Sequence, residues 1–482
     1  MDNRTLKAEI WTGKKFDGQW VPTAGGETRK VVSPLDGRVT AVVGVASRDD
    51  VARSAATAVK AGAEWNALGA AERAAVFNRA ADIIQRDSEE IRRWIQDEVG
   101  SVPAMTAVEI EYGTEIVRQA AALTTASRGE ILPPMKRGQF NYARRVPLGV
   151  VGAIGPWNAP FMLSLRSVAP ALAMGNAVVL KASSMTPVSG GLLIAKIFAE
   201  AGLPAGVLHV LPGDADTGAA MVADPNIHMI SFTGSTEVGR IVGRVAGELL
   251  KPVQLELGGN NALIVRSDAN LEEAVEIGLG GSVFANGQGC LCIGRHLVHE
   301  SLVGAYTESI TAAAREIKAS DPRQNPDAIQ GPLINQKQVD RVVDLIKRAK
   351  EAGARVLCGG EPDGLYFPAT VLDNVTVDNP IFQEETFAPV VAIASFKDDD
   401  EAVQMANSTE FGLTSSIIST DLDRAASIAE RLRVGSVHIN DLSALAVAWA
   451  PLGGIGASGN GPAFGGTADI DAYTRWKWVT QS

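Results

Sequence analysis

The chain has 482 residues, 46% hydrophobic and 21% charged, with a net charge of −11. At ~150 residues per domain this length predicts about three domains with ample core. The acidic balance argues against a nucleic-acid partner, because no basic field is present to release phosphate counterions; the densest basic pieces, Lys136-Arg137 and Arg144-Arg145, are too small to be a patch.

Cys290, Cys292 and Cys358 are the three cysteines. An odd, sparse set is no disulfide framework and suits a reducing compartment. The opening M-D-N-R-T-L-K-A-E-I lacks a basic segment followed by an apolar one, so no signal peptide is expected. The longest apolar stretches, 146–157 and 444–457, are broken by Gly and Pro and fall short of the ~18 residues of a membrane span. The expectation is a soluble cytoplasmic protein without membrane attachment.

Along the chain, Ser47 before D-D-V-A-R reads as a helix N-cap. Helical periodicity follows over 70–99 and 105–126. Residues 128–145, rich in turn formers and short β-type runs, read as an arm or hairpin. From Val146 strands and helices alternate: V-V-G-A-I, A-V-V-L-K-A, V-L-H-V-L and H-M-I-S-F are strands, and 192–201 is a helix ending at Gly202. That rhythm predicts βαβ units and a parallel sheet. A second α/β stretch runs over about 258–454, and a short tail rich in Trp and Thr closes the chain.

Walker-type phosphate loops and G-x-S-x-G elbows are absent. The five histidines are scattered, and His296 and His299, three apart on a predicted strand, point to opposite faces, so no metal site is expected. G-I-G-A-S-G at 454–459 matches a dinucleotide fingerprint but has no βαβ unit after it, so it reads as a flexible or turn-forming loop. In S-F-T-G-S-T-E-V-G-R, a strand enters Thr233-Gly234-Ser235 and a helix follows. This is either an anion site at a helix N-terminus or an ordinary βα turn. Cys290, in F-A-N-G-Q-G-C-L-C, is a nucleophile or a structural thiol. Glu256, between two leucines, is neutralised, paired or poised as a base. Asn158, after a strand end, is a turn residue or an oxyanion donor.

The order of these pieces carries more than each alone. W-N-A-P-F, G-N-A-V-V-L-K, F-T-G-S-T-E-V-G, E-L-G-G, G-Q-x-C, E-E-T-F-A-P-V and P-L-G-G-I-G-A-S-G follow the order and spacing of the aldehyde dehydrogenase superfamily. The chain resembles that superfamily over almost its whole length. The resemblance implies that Cys290 is the nucleophile and Cys292 a bystander. Glu256 would be the base that activates water. Asn158 would form the oxyanion hole with the Cys290 N–H. Lys181 would reach the adenosine ribose, Gly234 and Ser235 the pyrophosphate, and Glu385, before Phe387, the nicotinamide ribose, with Trp157 along the cleft. The glutamate resembles the hydrolytic branch, in contrast to acyl-CoA-forming or phosphate-dependent reductases. The intact Cys290, Glu256 and Asn158 set weighs against a non-catalytic protein.

Two departures bear on specificity. NAD-preferring members usually carry Glu where this chain has Ser184, so use of both NAD and NADP is expected. R-S-V-A-P-A-L-A and the tail G-A-S-G-N-G-P-A-F-G-G-T-A resemble the benzaldehyde and vanillin dehydrogenase branch, with Arg166 and Met162 at the substrate tunnel. The apolar run 442–449 is unusual for that branch; Leu445 and Trp449 in it would favour a bulky ligand such as a conjugated terpenoid aldehyde, unless the run packs on a neighbouring subunit.

The expected fold is α/β: a Rossmann-like cofactor-binding domain (1–127 and 148–257), an α/β catalytic domain (258–464), and a small β oligomerisation element (128–147 and 465–482) making a homodimer or homotetramer.

Overall fold

The computed structural model describes residues 8–461 and 464–482. The opening stretch read for a leader (1–7) and Pro462-Ala463 of the tail motif lie outside the described residues.

Ser47 caps the helix Arg48–Ala67 reciprocally. Its Oγ accepts from the Asp50 N–H at 3.2 Å, and Asp50 Oδ2 accepts from the Ser47 N–H at 3.0 Å. The periodic stretch 70–99 is two helices, Ala70–Arg86 and Ser88–Val99, broken at Asp87, whose backbone leaves the helical region. Asp87 accepts from Arg86 at 2.7 and 2.8 Å at the break. Pro103–Leu123 follows, with proline at its first turn where no N–H is needed. The predicted helix at 192–201 is Leu193–Glu200, entered through a wide π-type turn at Val188–Leu192. Glu98 fastens that turn by accepting from the Val188 and Ser189 N–H groups at 3.0 and 2.7 Å.

Two seven-stranded sheets dominate. Across the first the order is Val253–Glu256, Met229–Thr233, Val150–Ile154, Ala177–Lys181, Leu208–Val210, Lys14–Phe16 and Trp20–Pro22. The first five strands are parallel. Their runs are apolar because helices cover both faces. Across the second sheet the order is Arg355–Cys358, Thr370–Asp373, Val390–Phe396, Ile293–His299, Asn261–Val265, Thr414–Ile418 and Ser436–Ile439. The residues 128–145, read as an arm, form Gly129–Ile131 and Phe140–Pro147, and the tail strand Thr474–Gln481 pairs antiparallel along the whole of the latter. Ile131, Phe140, Trp476 and Trp478 on this small sheet are exposed.

In the first sheet the chain builds outward from Val150–Ile154 in one direction, then returns to lay Met229–Thr233 on its other side. The connections therefore diverge above the carboxyl ends of these two strands, where open α/β sheets form a crevice. No described helix is long and apolar enough to cross a membrane.

Candidate active site

That crevice is a cleft of about 790 Å³. Val150–Ile154 delivers Trp157 and Asn158 into it; Ala177–Lys181 delivers Lys181, with Ser184 beyond; Met229–Thr233 delivers Gly234 and Ser235. Glu385 and Phe387 close it from the second sheet's side, and Cys290 stands at its inner end.

Each position has a local cause. Gly234 is glycine because a Cβ there would sit 2.6 Å from the Phe232 ring. Ser235 is the N-cap of Thr236–Glu248, its Oγ accepting from the Val238 N–H, so that helix opens its free N–H groups toward the cleft. Thr233 Oγ1, also on the cleft wall, is buried with no partner. Burial pulls the Lys181 ammonium down to about 8, with the Asp214 carboxylate opposing and the Arg29 charge adding to the fall. Glu385 sits where Gly258 has no side chain, accepts from the Gly259 N–H at 2.8 Å, and is pushed up to about 7 by burial. Phe387 has φ +52°, the left-handed region, and packs edge-on to Trp157 at 5.4 Å between centroids. Gln338 anchors that strained residue by donating to its carbonyl at 2.8 Å.

The cysteine loop is pinned from several directions. Gly287 passes so close to Ala388 that a Cβ would meet its carbonyl carbon at 2.1 Å. Asn286, at φ +59°, accepts from the Gly331 N–H at 2.7 Å. Asn261 Nδ2 donates to the carbonyls of Cys290 and Cys292, each at 2.8 Å. Cys292 is buried and its thiol donates to the Phe284 carbonyl at 3.2 Å, while Cys290 is half-buried between cavities. Burial pushes the Cys290 thiol up to about 12; the Arg166 guanidinium opposes this and the Glu256 charge reinforces it. Asn158 Nδ2 donates to the Gln288 carbonyl at 2.9 Å, which sets the amide beside this loop.

Glu256 ends the strand Val253–Glu256. Burial pushes it up to about 7, against the pull of Arg166 and of the Gly454 N–H, which donates to Oε1 at 3.2 Å. The stretch G-I-G-A-S-G, expected to be a flexible or turn-forming loop, is locked: Ile455–Gly456 pairs with Phe411–Gly412, and the Leu257 N–H donates to the Ser458 carbonyl at 2.9 Å. Its glycines let it lie against the Glu256 backbone, where a Cβ on Gly459 would meet the Leu255 carbonyl at 2.8 Å.

A second cavity, of about 80 Å³, opens on the other side of Cys290 and shares Cys290, Asn158 and Leu163 with the first. Met162 and Arg166 line it, with Tyr112 and Phe284. Arg166 is buried; its guanidinium lies over the Phe464 ring at 4.4 Å, and its Nε has no hydrogen-bond partner. Asp469, held by the Gly465 N–H, is pushed up to about 7 by burial, and Arg166 opposes that rise. Leu445 and Trp449 do not line this cavity and are 49% and 61% exposed. Ala444 and Ala446 line it instead. The loop presents its small side chains inward and its large ones outward, so the bulk read from its composition narrows nothing.

The histidines serve structure. His296 is buried between Ser282 and Tyr306 at 2.8 and 2.7 Å, while His299, on the other face, is half-buried beside the Lys397 carbonyl at 3.0 Å. Sequence reasoning missed Asn261, Gly454 and Asp469. A buried polar residue beside a glycine pair was the available signal for Asn261; the other two show themselves only in contact.

Comparison with known proteins agrees with this geometry. The profile of the Aldehyde dehydrogenase family matches residues 20–479. The chain is 45% identical over 476 residues to a vanillin dehydrogenase of Amycolatopsis sp., covering 98% of this chain and 97% of that one. It is 44% identical over 477 residues to a benzaldehyde dehydrogenase [NAD(+)] of Pseudomonas putida, covering 99% and 97%. An E. coli NADP-dependent enzyme of known structure superposes with a TM-score of 0.95 at 32% identity, covering 99% and 100%. A thiol held between two cavities, in a chain that the family profile matches over residues 20–479, leaves one assignment: this protein belongs to the aldehyde dehydrogenase family.

Proposed function

We propose that the protein oxidises a benzaldehyde-like aromatic aldehyde to its carboxylic acid, using NAD or NADP and water. The observation that carries this reading is the position of Cys290, on the wall shared by the large cleft and the small cavity. The full-length similarity to vanillin and benzaldehyde dehydrogenases supports the aromatic class.

The large cleft suits a nicotinamide dinucleotide. Its helix N-terminus and the unpartnered Thr233 hydroxyl suit a pyrophosphate, Lys181 and Glu385 suit ribose hydroxyls, and Trp157 and Phe387 flank the passage between them. When bound, the nicotinamide ring supplies the acceptor for the hydride that leaves the substrate carbon. The absence of a carboxylate at Ser184 leaves room for a 2′-phosphate, and the names of the relatives include both forms of cofactor.

Cys290 Sγ forms a bond to the aldehyde carbon. Arg166 favours the thiolate against the burial that opposes it. Asn158 has one amide hydrogen on Gln288 and a second to offer the developing alkoxide, together with the Cys290 N–H. After the carbon loses hydride, the acyl group stays on Sγ as a thioester. Glu256, ionised in part at neutral pH, takes a proton from water; the hydroxide cleaves the thioester, releasing acid and restoring the thiol. This role requires Glu256 to release the Gly454 N–H and turn to the sulfur. The apolar lining of the small cavity, with Tyr112, Phe284 and Met162, suits an aromatic ring, and the open Arg166 Nε would offer a donor to a polar ring substituent.

The exposed apolar side chains of the β arm support assembly as a homodimer or homotetramer, since an arm of this kind rarely stays unpaired. Three free cysteines support a cytoplasmic setting.

The test is absorbance of reduced cofactor with benzaldehyde, NAD and NADP run in parallel, and Cys290→Ala as control. Turnover that vanishes in the control is expected. Turnover that survives it, or silence with every aromatic aldehyde, overturns the reading. A difference above about a hundredfold between cofactors, roughly 2.7 kcal/mol, overturns dual use alone.

A further inference from the structure

The outer end of the large cleft holds a cation that the chemistry above does not use. Arg29 lies on Thr28–Val32, the first strand of a hairpin whose second strand is Val39–Gly44. The chain leaving that hairpin docks on the cleft wall, the Ala46 N–H donating to the Pro212 carbonyl at 2.8 Å. Arg29 thereby reaches Asp214, its Nη2 donating to Oδ2 at 2.5 Å. The Arg29 side chain remains 40% exposed and lines the same cavity as Lys181 and Ser184. Among the described residues its Nε and Nη1 donate to nothing. Lys181 responds to the charges of both Arg29 and Asp214, so the three groups form one electrostatic unit.

The charges that interact here are two cations, Arg29 and Lys181, and one carboxylate, Asp214; Ser184 lines the same cleft, as does the Glu237 carboxylate on the helix opposite. A ribose bearing two free hydroxyls is gripped best by a carboxylate that accepts from both. A ribose 2′-phosphate needs donors and a surplus of positive charge, and a guanidinium edge is suited to it. Within the Arg29, Lys181 and Asp214 group the surplus is positive, and the free edge belongs to Arg29.

We propose that Arg29 is the residue that sets cofactor preference: with Lys181 and Ser184 it holds the 2′-phosphate of NADP, while Asp214 anchors the guanidinium and tempers its charge so that NAD is still admitted. The proposal rests on the reading that this cleft takes a nicotinamide dinucleotide.

The test is calorimetric measurement of Kd for NAD and for NADP with the full-length protein, its Arg29→Ala and Arg29→Lys variants, and Asp214→Asn. Arg29→Ala is expected to move the ratio of the two constants against NADP by about tenfold or more, the low end of one charge-assisted hydrogen bond. Arg29→Lys keeps part of the preference. Asp214→Asn frees the guanidinium and moves the ratio toward NADP. Wild-type affinity for NADP falls more steeply with salt than affinity for NAD. An unchanged ratio in Arg29→Ala overturns the proposal. Equal loss of both cofactors with a lowered melting temperature also overturns it, because Arg29 is then a strut between hairpin and sheet. A wild-type protein that binds neither dinucleotide overturns the underlying reading, and this one with it.

Discussion

Replacing Glu256 by Gln separates what the carboxylate does for turnover from what it costs the fold. Gln has the same shape, and its Oε1 can still accept from the Gly454 N–H, so the loop over the site stays in place. Burial raises the Glu256 pKa from 4.5 to about 7. Between those values the folded chain holds a proton that the unfolded chain releases, so this group lowers stability as pH rises through that window and its full penalty stands above about pH 7. The span corresponds to about 3 kcal/mol. Gln carries no such penalty, so the stability of the variant relative to wild type should rise by about that amount between pH 4.5 and 8, whatever the offset from burying the amide. Above about pH 7, where the wild-type carboxylate is ionised, turnover of the variant should be ~10²- to 10⁴-fold lower, and the gap should narrow as pH falls and wild type loses its base. A burst of reduced cofactor should survive, because hydride loss precedes the step that needs the base. Denaturant midpoints across pH give the first quantity, and rapid-mixing absorbance gives the other two. A variant that turns over like wild type, or a stability difference flat in pH, refutes the reasoning.

Two further outcomes follow from the geometry. Asn158→Ala removes one amide donor to the alkoxide and should lower kcat by ~10²- to 10³-fold, with the melting temperature nearly kept; steady-state rates check this. Ala446→Leu adds three carbons to a cavity of about 80 Å³, and at ~1–3 kcal/mol per methylene should reduce kcat/KM for benzaldehyde at least about a hundredfold, whereas Leu445→Ala, changing a side chain outside the cavity, should leave it near wild type.

The features legible in the sequence are those that depend on neighbours along the chain. Ser47 announces a helix start through Asp50, three residues on. Gly155, Pro156 and Asn158, with Gly234 and Ser235, mark strand ends because small or turn-forming residues suit the chain where a strand gives way to a helix. The break at Asp87 is hidden inside a periodic run because aspartate is tolerated in helices and the run of apolar positions continues on both sides of it. Facing is harder still. Leu445 and Trp449 looked like tunnel walls by their size, yet an irregular loop has no period from which to assign inside and outside. Contacts across long separations were beyond reach: Arg29 and Asp214 are 185 residues apart, and Gly454 and Glu256 are 198.

The thiol stands in a partition with a chamber on each side, about 790 Å³ on one and 80 Å³ on the other. Two visitors that meet at one atom thus arrive through separate doors. On the proposed reading, a spent cofactor would be exchanged through the large chamber while the acyl group waits on the sulfur beside the small one.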